Sequence, residues 1–333
     1  MNRYQHQIVL PPIGEEGQKI LAEKRILIIG CGALGSVSAN NLVRLGIGQI
    51  TVLDRDYVEF ADLNRQILFY EEDARRRLPK AIVAASRLRK INSQVKIEGR
   101  IIDLNHSNVD TIISDYDLVL DGTDNIETRF LINTVCIKKG IPWIYAGSIG
   151  SSAILMNIFL DGPCLQCLIP KLPEPGRLET CATRGVINSA PAVVASIQTT
   201  EAIKILIGDS NVLRDVLYID LWSNEFRRLK IKKRTDCPIC IRGNFEINQP
   251  EVTPTTWCER NGFQIQMSVS KDLDLNLLNE RFRRLTNTII NNYLISFKID
   301  GYEITLFRDG RAIIKGVSNE KEARAIYTRY VGM

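Results

Sequence analysis

The 333-residue chain has no apolar run approaching the length of a membrane span, and its opening, MNRYQHQIVL, lacks a signal-peptide core. A cytoplasmic protein with no membrane partner is expected. Strong charge of either sign is also missing. The formal net charge is +5, with acids and bases interspersed, which argues against a nucleic-acid partner. The one basic cluster, RRLKIKKR from Arg227 to Arg234, alternates with Leu229 and Ile231 as a half-exposed strand would. There is no internal repeat. The eight cysteines do not suit a disulfide framework in a reducing compartment, so metal binding or thiol chemistry is the better expectation.

What is present is an alternation. From Lys24 to Gly147 the chain reads KRILIIG, a glycine turn, SVSANNLVRLG, QITVLD, then KAIVAASRLRKIN, VKIEGRII, YDLVLDGTD, TRFLINTVCIKKG and PWIYAGS. Short apolar runs interleave with segments that bury one helical face, which predicts an α/β fold with a Rossmann-like doubly wound sheet. After Gly150 come a strand, SSAILMNIFL, an irregular Pro-rich loop, LIPKLPEPGRLETC, a long helix ending near Gly208, and a hairpin, VLYIDLWSNEFRRLKI. The pattern divides the chain into an adenine-nucleotide domain over 1–245, a polar linker over 246–258 and a small α+β domain of open role over 259–333. Two Asp-Gly turns mark the last.

Four constellations carry chemistry. Gly30, Gly32 and Gly35 form GxGxxG after the first strand, offering helix N-terminal amides to phosphate; Asp54, 19 residues after Gly35, is placed for a ribose hydroxyl. Cys31 between the glycines reads as packing. Arg65, Gln66 and Lys80 follow Asp54, and a guanidinium with an ammonium there points to the phosphates of ATP. Asp56 and Asn64 lie beside them. Asp121, Asp124 and Asn125 end a strand where open α/β sheets bind ligands; Asp124 is assigned to Mg²⁺ and Asp121 to a turn cap or the same nucleotide site. Cys164 and Cys167 with Cys237 and Cys240 make two CxxC pairs suited to a Cys₄ Zn²⁺ clip, with redox use of each pair as the alternative. Cys181, in a loop near Arg177 and Arg184, is a candidate acyl-accepting thiol or an incidental cysteine.

Together these residues resemble the ThiF/MoeB/HesA superfamily, the bacterial relatives of ubiquitin-activating enzymes. The resemblance spans about Arg3 to Gly243: RYxxQI, GCGALGS, the acid-rich segment ending LNRQ, PKA, DGTDN followed by TR, two CxxC pairs, and a cysteine before GV. It implies adenylation of the C-terminal glycine carboxylate of a ubiquitin-like sulfur-carrier protein ending in Gly-Gly, by a homodimer using ATP and Mg²⁺. Arg65, Lys80, Asp124 and Cys181 would be catalytic, and the four paired cysteines would hold structural zinc. Two positions depart from the family's pattern. RYxRQ is usual where His6 stands, and an SN pair is Ala61-Asp62, which puts a carboxylate beside the expected phosphates. Alternative readings are a non-catalytic scaffold of the same fold, adenylation of a peptide or tRNA-linked carboxylate, and an NAD-dependent oxidoreductase.

Overall fold

The run RILII is apolar without alternation, and a strand of that kind needs cover on both faces. In the computed structural model, which describes residues 3–172, 181–246, 256–257, 262–266, 272–284 and 286–331, it forms the inner strand of an eight-stranded sheet. The strands are β1 (Arg25–Ile29), β2 (Gln49–Asp54), β3 (Lys96–Ile101), β4 (Leu118–Asp121), β5 (Trp143–Ile149), β6 (Ser152–Ile158), β7 (Val216–Asp220) and β8 (Glu225–Leu229). Their order is β3-β2-β1-β4-β5-β6-β7-β8. The β1–β5 part is parallel, and β5 to β8 pair antiparallel, as hairpins permit. Strand order reverses at β1, between β2 and β4, so the carboxyl ends of these three strands open onto one crevice.

The helices close where the sequence punctuates them. Ala33–Leu45 ends at Gly46, Ile126–Lys139 at Gly140 and Ser189–Ile207 at Gly208, each glycine left-handed. Among the described residues, Ser189–Ile207 is a helix long and apolar enough, by length and hydropathy alone, to cross a membrane, and half of it is buried within the protein. Its apolar character has a packing cause: it lies against Ala33–Leu45 and against β5 and β6. Buried Gln198 on it donates to the carbonyls of Asp121 and Ile144, and buried Glu201 accepts from Asn157 and from the Leu213 amide.

The chain divides into two units, Met1–Ala74 with Pro79–Asn248, and Arg75–Leu78 with Gln249–Met333. The second is a six-stranded antiparallel sheet of β9 (Thr256–Trp257), β10 (Gly262–Gln266), β11 (Thr288–Ile290), β12 (Leu294–Ile299), β13 (Tyr302–Phe307) and β14 (Arg311–Lys315), ordered β11-β12-β13-β14-β10-β9. Asp300 and Gly301, both at positive φ, make the β12–β13 turn that the Asp-Gly signal predicts. Ile295, Phe297, Ile304, Leu306, Ala312 and Ile314 point to one face, where they form a core with Phe282, Ala323 and Ile326. Within this unit Arg77 donates to the hydroxyls of Ser296 (2.6 Å) and Thr305 (3.1 Å) and pairs with Glu303 at 2.7 Å. A sequence pattern cannot assign four residues from position 75 to a domain that otherwise begins near position 249. The Pro-rich loop and the linker over 246–258 fall largely outside the described residues, which exclude 173–180, 247–255 and 258–261.

Three glycines fix the crevice. A Cβ on Gly35 would stand 1.9 Å from the Gly30 carbonyl oxygen, one on Gly30 2.6 Å from the Gly122 oxygen, and one on Gly122 2.4 Å from the Gly30 oxygen. All three obstacles are backbone, which has no rotamer with which to retreat. Gly32 differs, because a Cβ there would come no closer than 3.9 Å to any neighbour, the Gln66 Nε2. Gly35→Ala is therefore expected to cost about 3 kcal/mol or more by urea denaturation, while Gly32→Ala stays within about 1 kcal/mol of the parent protein.

Candidate nucleotide site and cysteine cluster

The glycine loop leaves β1 at Gly30, which takes φ +87°, and enters the helix Ala33–Leu45 through Gly32, a helix start with no side-chain cap. Cys31 is fully buried there, and burial pushes its thiol well above the ordinary range, which suits packing. Asp54 ends β2 and ties the loop down: its Oδ2 accepts the Cys31 amide at 2.6 Å and its Oδ1 the Asp56 amide at 2.8 Å. Burial pushes the Asp54 carboxyl up; the Lys80 ammonium draws it down, and Asp56 adds to the rise.

Lys80 is 5% exposed, an uncommon burial for a lysine. It begins the helix Lys80–Ile91, where the dipole disfavours a cation. Its Nζ lies 3.2 Å from Asp56 and 3.4 Å from Asp62, two carboxylates that offset that disfavour. Asp62 is the centre of this cluster. Its Oδ2 accepts the Glu59 amide at 3.0 Å, its Oδ1 accepts Gln66 Nε2 at 2.8 Å, and Arg65 Nη2 stands 3.8 Å away. The Asp62 backbone carbonyl accepts from the amides of both Arg65 and Gln66. The carboxylate that departs from the family pattern is thus the residue around which Arg65, Gln66 and Lys80 gather. Arg65 also donates to the Ala61 carbonyl (2.6 Å) and to Asn64 Oδ1 (3.1 Å), which leaves Asn64 supporting the guanidinium.

At the end of β4 the two aspartates separate. Asp121 is fully buried with both oxygens engaged: Oδ1 accepts from the Thr123 amide and hydroxyl at 2.8 and 2.6 Å, and Oδ2 from Arg129 Nε at 2.8 Å. The turn-cap alternative describes that geometry, since few lone pairs remain for a ligand. Asp124 is exposed at the crevice. Asn125 caps the helix Ile126–Lys139, accepting from the amides of Glu127 and Thr128, so its side chain serves the loop. Two basic residues escaped the sequence reading. Arg129 also donates to the Ala146 carbonyl at 3.1 Å, bracing β4 to β5; the TR dipeptide was its only signal. Arg55 pairs with Asp103 at 3.0 Å, and its charge is sustained, against burial, by Asp103 and then Asp124. Its adjacency to Asp54 was the available clue.

The CxxC pairs converge. The four Sγ atoms of Cys164, Cys167, Cys237 and Cys240 lie within 4.8 Å of one another, with Cys164–Cys237 at 3.6 Å and Cys167–Cys240 at 3.5 Å. A tetrahedral ion with Zn–S bonds of about 2.3 Å sets its sulfurs about 3.8 Å apart, so the donor set and its spacing fit zinc. The Arg234 amide donates to Cys167 Sγ, a charge-stabilising contact of the kind thiolates receive. Cys181 begins the short helix Cys181–Arg184; its side chain lies outside the described residues.

A nucleotide-loop sheet with a basic, carboxylate-lined crevice and a Cys₄ cluster defines a class, and comparison agrees with it: residues 4–239 match the ThiF family, and the chain belongs to that family. Over 338 aligned residues it is 39% identical to the sulfur carrier protein ThiS adenylyltransferase of Bacillus subtilis, covering 99% of each chain. The sulfur carrier protein adenylyltransferase of Thermus thermophilus is 37% identical over 248 residues, covering 72% of this chain and 90% of its own. Among solved structures, E. coli MccB with ATP superposes with a TM-score of 0.63 at 22% identity, covering 72% of this chain and 74% of MccB, a likeness of fold.

The Asp121–Arg129 pair yields a stability test. Arg129→Met leaves a buried carboxylate unpaired and is expected to cost about 3–5 kcal/mol. Adding Asp121→Asn should recover part of that loss in a double-mutant cycle read by denaturant unfolding.

Proposed function

We propose that this protein adenylates the C-terminal glycine carboxylate of a ubiquitin-like sulfur-carrier protein, working in the cytoplasm as a homodimer. The observation that carries the reading is the gathering of Lys80, Arg65 and Gln66 around Asp62 at the strand-order reversal, in a chain that matches a ThiS adenylyltransferase from end to end.

ATP would place its phosphates at the uncapped start of Ala33–Leu45, over Gly32, with the ribose toward Asp54. A carboxylate oxygen of the carrier's terminal glycine attacks the α-phosphorus. A C–O–P linkage forms, the bond to the β-phosphate breaks, and pyrophosphate carries the electron pair away. No proton need move, so the protein's task is positioning and charge compensation. Lys80 and Arg65 meet the charge that develops on the phosphate oxygens. Mg²⁺, when bound, supplies further charge neutralisation at those oxygens, and exposed Asp124 is the carboxylate to hold it. Arg129 and Asp121 keep the loop bearing Asp124 in place. Cys164, Cys167, Cys237 and Cys240 would hold a structural zinc ion, closed to chemistry because all four positions are protein ligands.

His6 is exposed on the N-terminal helix Gln5–Ile8. Near it, Arg3 donates through Nη1 to the Ile91 carbonyl at 2.8 Å.

ATP–pyrophosphate exchange with a carrier ending in Gly-Gly tests the reading. Exchange is expected with the parent protein, to fall by about 10²-fold or more in Asp124→Ala, and to persist in Cys181→Ala. No exchange with any carrier or peptide would leave the scaffold reading standing. Zinc near one per chain, lost together with thermal stability in Cys237→Ser or on chelation, checks the cysteine clip.

A further inference from the structure

Gln66 is 3% exposed, and its Oε1 is buried without a hydrogen-bond partner. A buried acceptor left unmade costs about 1–3 kcal/mol, which a protein tolerates where a ligand supplies the missing donor. The location agrees, since Gln66 sits against the nucleotide loop, its Nε2 3.9 Å from where a Gly32 Cβ would stand.

The orientation of that amide is chemically determined. Its Nε2 lies 2.8 Å from Asp62 Oδ1, and Asp62 also faces Lys80 at 3.4 Å and Arg65 at 3.8 Å. The Glu59 amide and the two cations hold Asp62 as an acceptor. Only the NH₂ end of Gln66 can face it, and the oxygen end must face elsewhere. An asparagine at position 62 would allow either end, because a carboxamide both donates and accepts.

Resting on the nucleotide reading above, we propose that Asp62 acts as a positioning residue that locks Gln66 as a hydrogen-bond acceptor, through Oε1, toward an O–H donor of the bound nucleotide. That donor is a ribose hydroxyl or a water carried by the metal; both present the same chemistry to Oε1. Gln66 then reads the sugar or the metal's water shell through its oxygen, in place of the phosphate role that its sequence neighbourhood implies. The substitution at position 62 that looks adverse to ATP becomes the source of this polarity.

The test is binding alone, without carrier, so its outcome is separable from that of pyrophosphate exchange. Dissociation constants are measured for ATP, 2′-deoxy-ATP and 3′-deoxy-ATP, each with and without Mg²⁺, on the parent protein, Gln66→Met and Asp62→Asn. If a ribose hydroxyl is the donor, the parent should bind one deoxynucleotide about fivefold more weakly than ATP, and that ratio should collapse toward one in Gln66→Met and shrink in Asp62→Asn. If a metal-held water is the donor, the deoxy ratios stay near one and the gain in affinity from Mg²⁺ falls about fivefold in both variants. A purely structural Asp62 would lower the melting temperature of Asp62→Asn with both ratios unchanged. Parental ratios in Gln66→Met overturn the proposal even if exchange is normal. Failure of the parent protein to bind any nucleotide overturns it together with the adenylation reading.

Discussion

Everything at the crevice depends on three backbone segments meeting without side chains. The Gly30 carbonyl, the Gly35 turn of the following helix and the Gly122 peptide stand so close that a single methyl at any of them would overlap main-chain atoms. This contact joins the end of β1 to the end of β4, and it sets where Asp54 can reach the Cys31 amide and where Asp124 projects. Backbone cannot relax as a side chain can, so the geometry is determined before any charged group is considered. Gly32, free of the interlock, is the one glycine of the motif where an added methyl would meet only ordinary van der Waals contacts.

On that frame the protein sets an unusual density of buried charge. Lys80 has Asp56 and Asp62 within ion-pair distance, and Asp54 is close enough for its carboxyl to feel the ammonium. Such a cluster is expensive to desolvate, and pairing offsets the cost only in part. The arrangement is pre-organised: Asp62 accepts from Glu59 and Gln66, so the cations are held by groups that are themselves held. Incoming phosphate oxygens would meet cations already in place, with little reorganisation left for the moment of reaction.

Much of this was legible in the chain. GCGALGS, KRILIIG and the helices ended by Gly46, Gly140 and Gly208 follow from steric and periodic rules that act locally, and the parallel sheet follows from their alternation. The two CxxC pairs were legible for a different reason, since thiolate pairs at that spacing have few other uses. What could not be read was partnership across distance. Asp121 looks like a ligand in DGTDN until Arg129 and Thr123 are seen to occupy its oxygens. Asp62 looks like a defect until Lys80 arrives from 18 positions away. The assignment of Arg77 to the second unit rests on Ser296, Glu303 and Thr305, more than two hundred positions further along. The long helix ending near Gly208 was legible, whereas its packing partners were not: a helix set against a sheet and a neighbouring helix needs no polar face of the usual width.

The cysteine cluster has a consequence for how the chain comes together. Cys237 follows Cys167 by 70 positions, and between them run the helix Ser189–Ile207 and the β7–β8 hairpin. An ion shared by the two pairs closes that whole length into a ring, which removes much of the disorder available to the unfolded chain. Until the second pair has been synthesised, no such ring can close. If zinc fills the cluster, its supply would act as a checkpoint in maturation, and a chain made under zinc starvation would lack that ring closure.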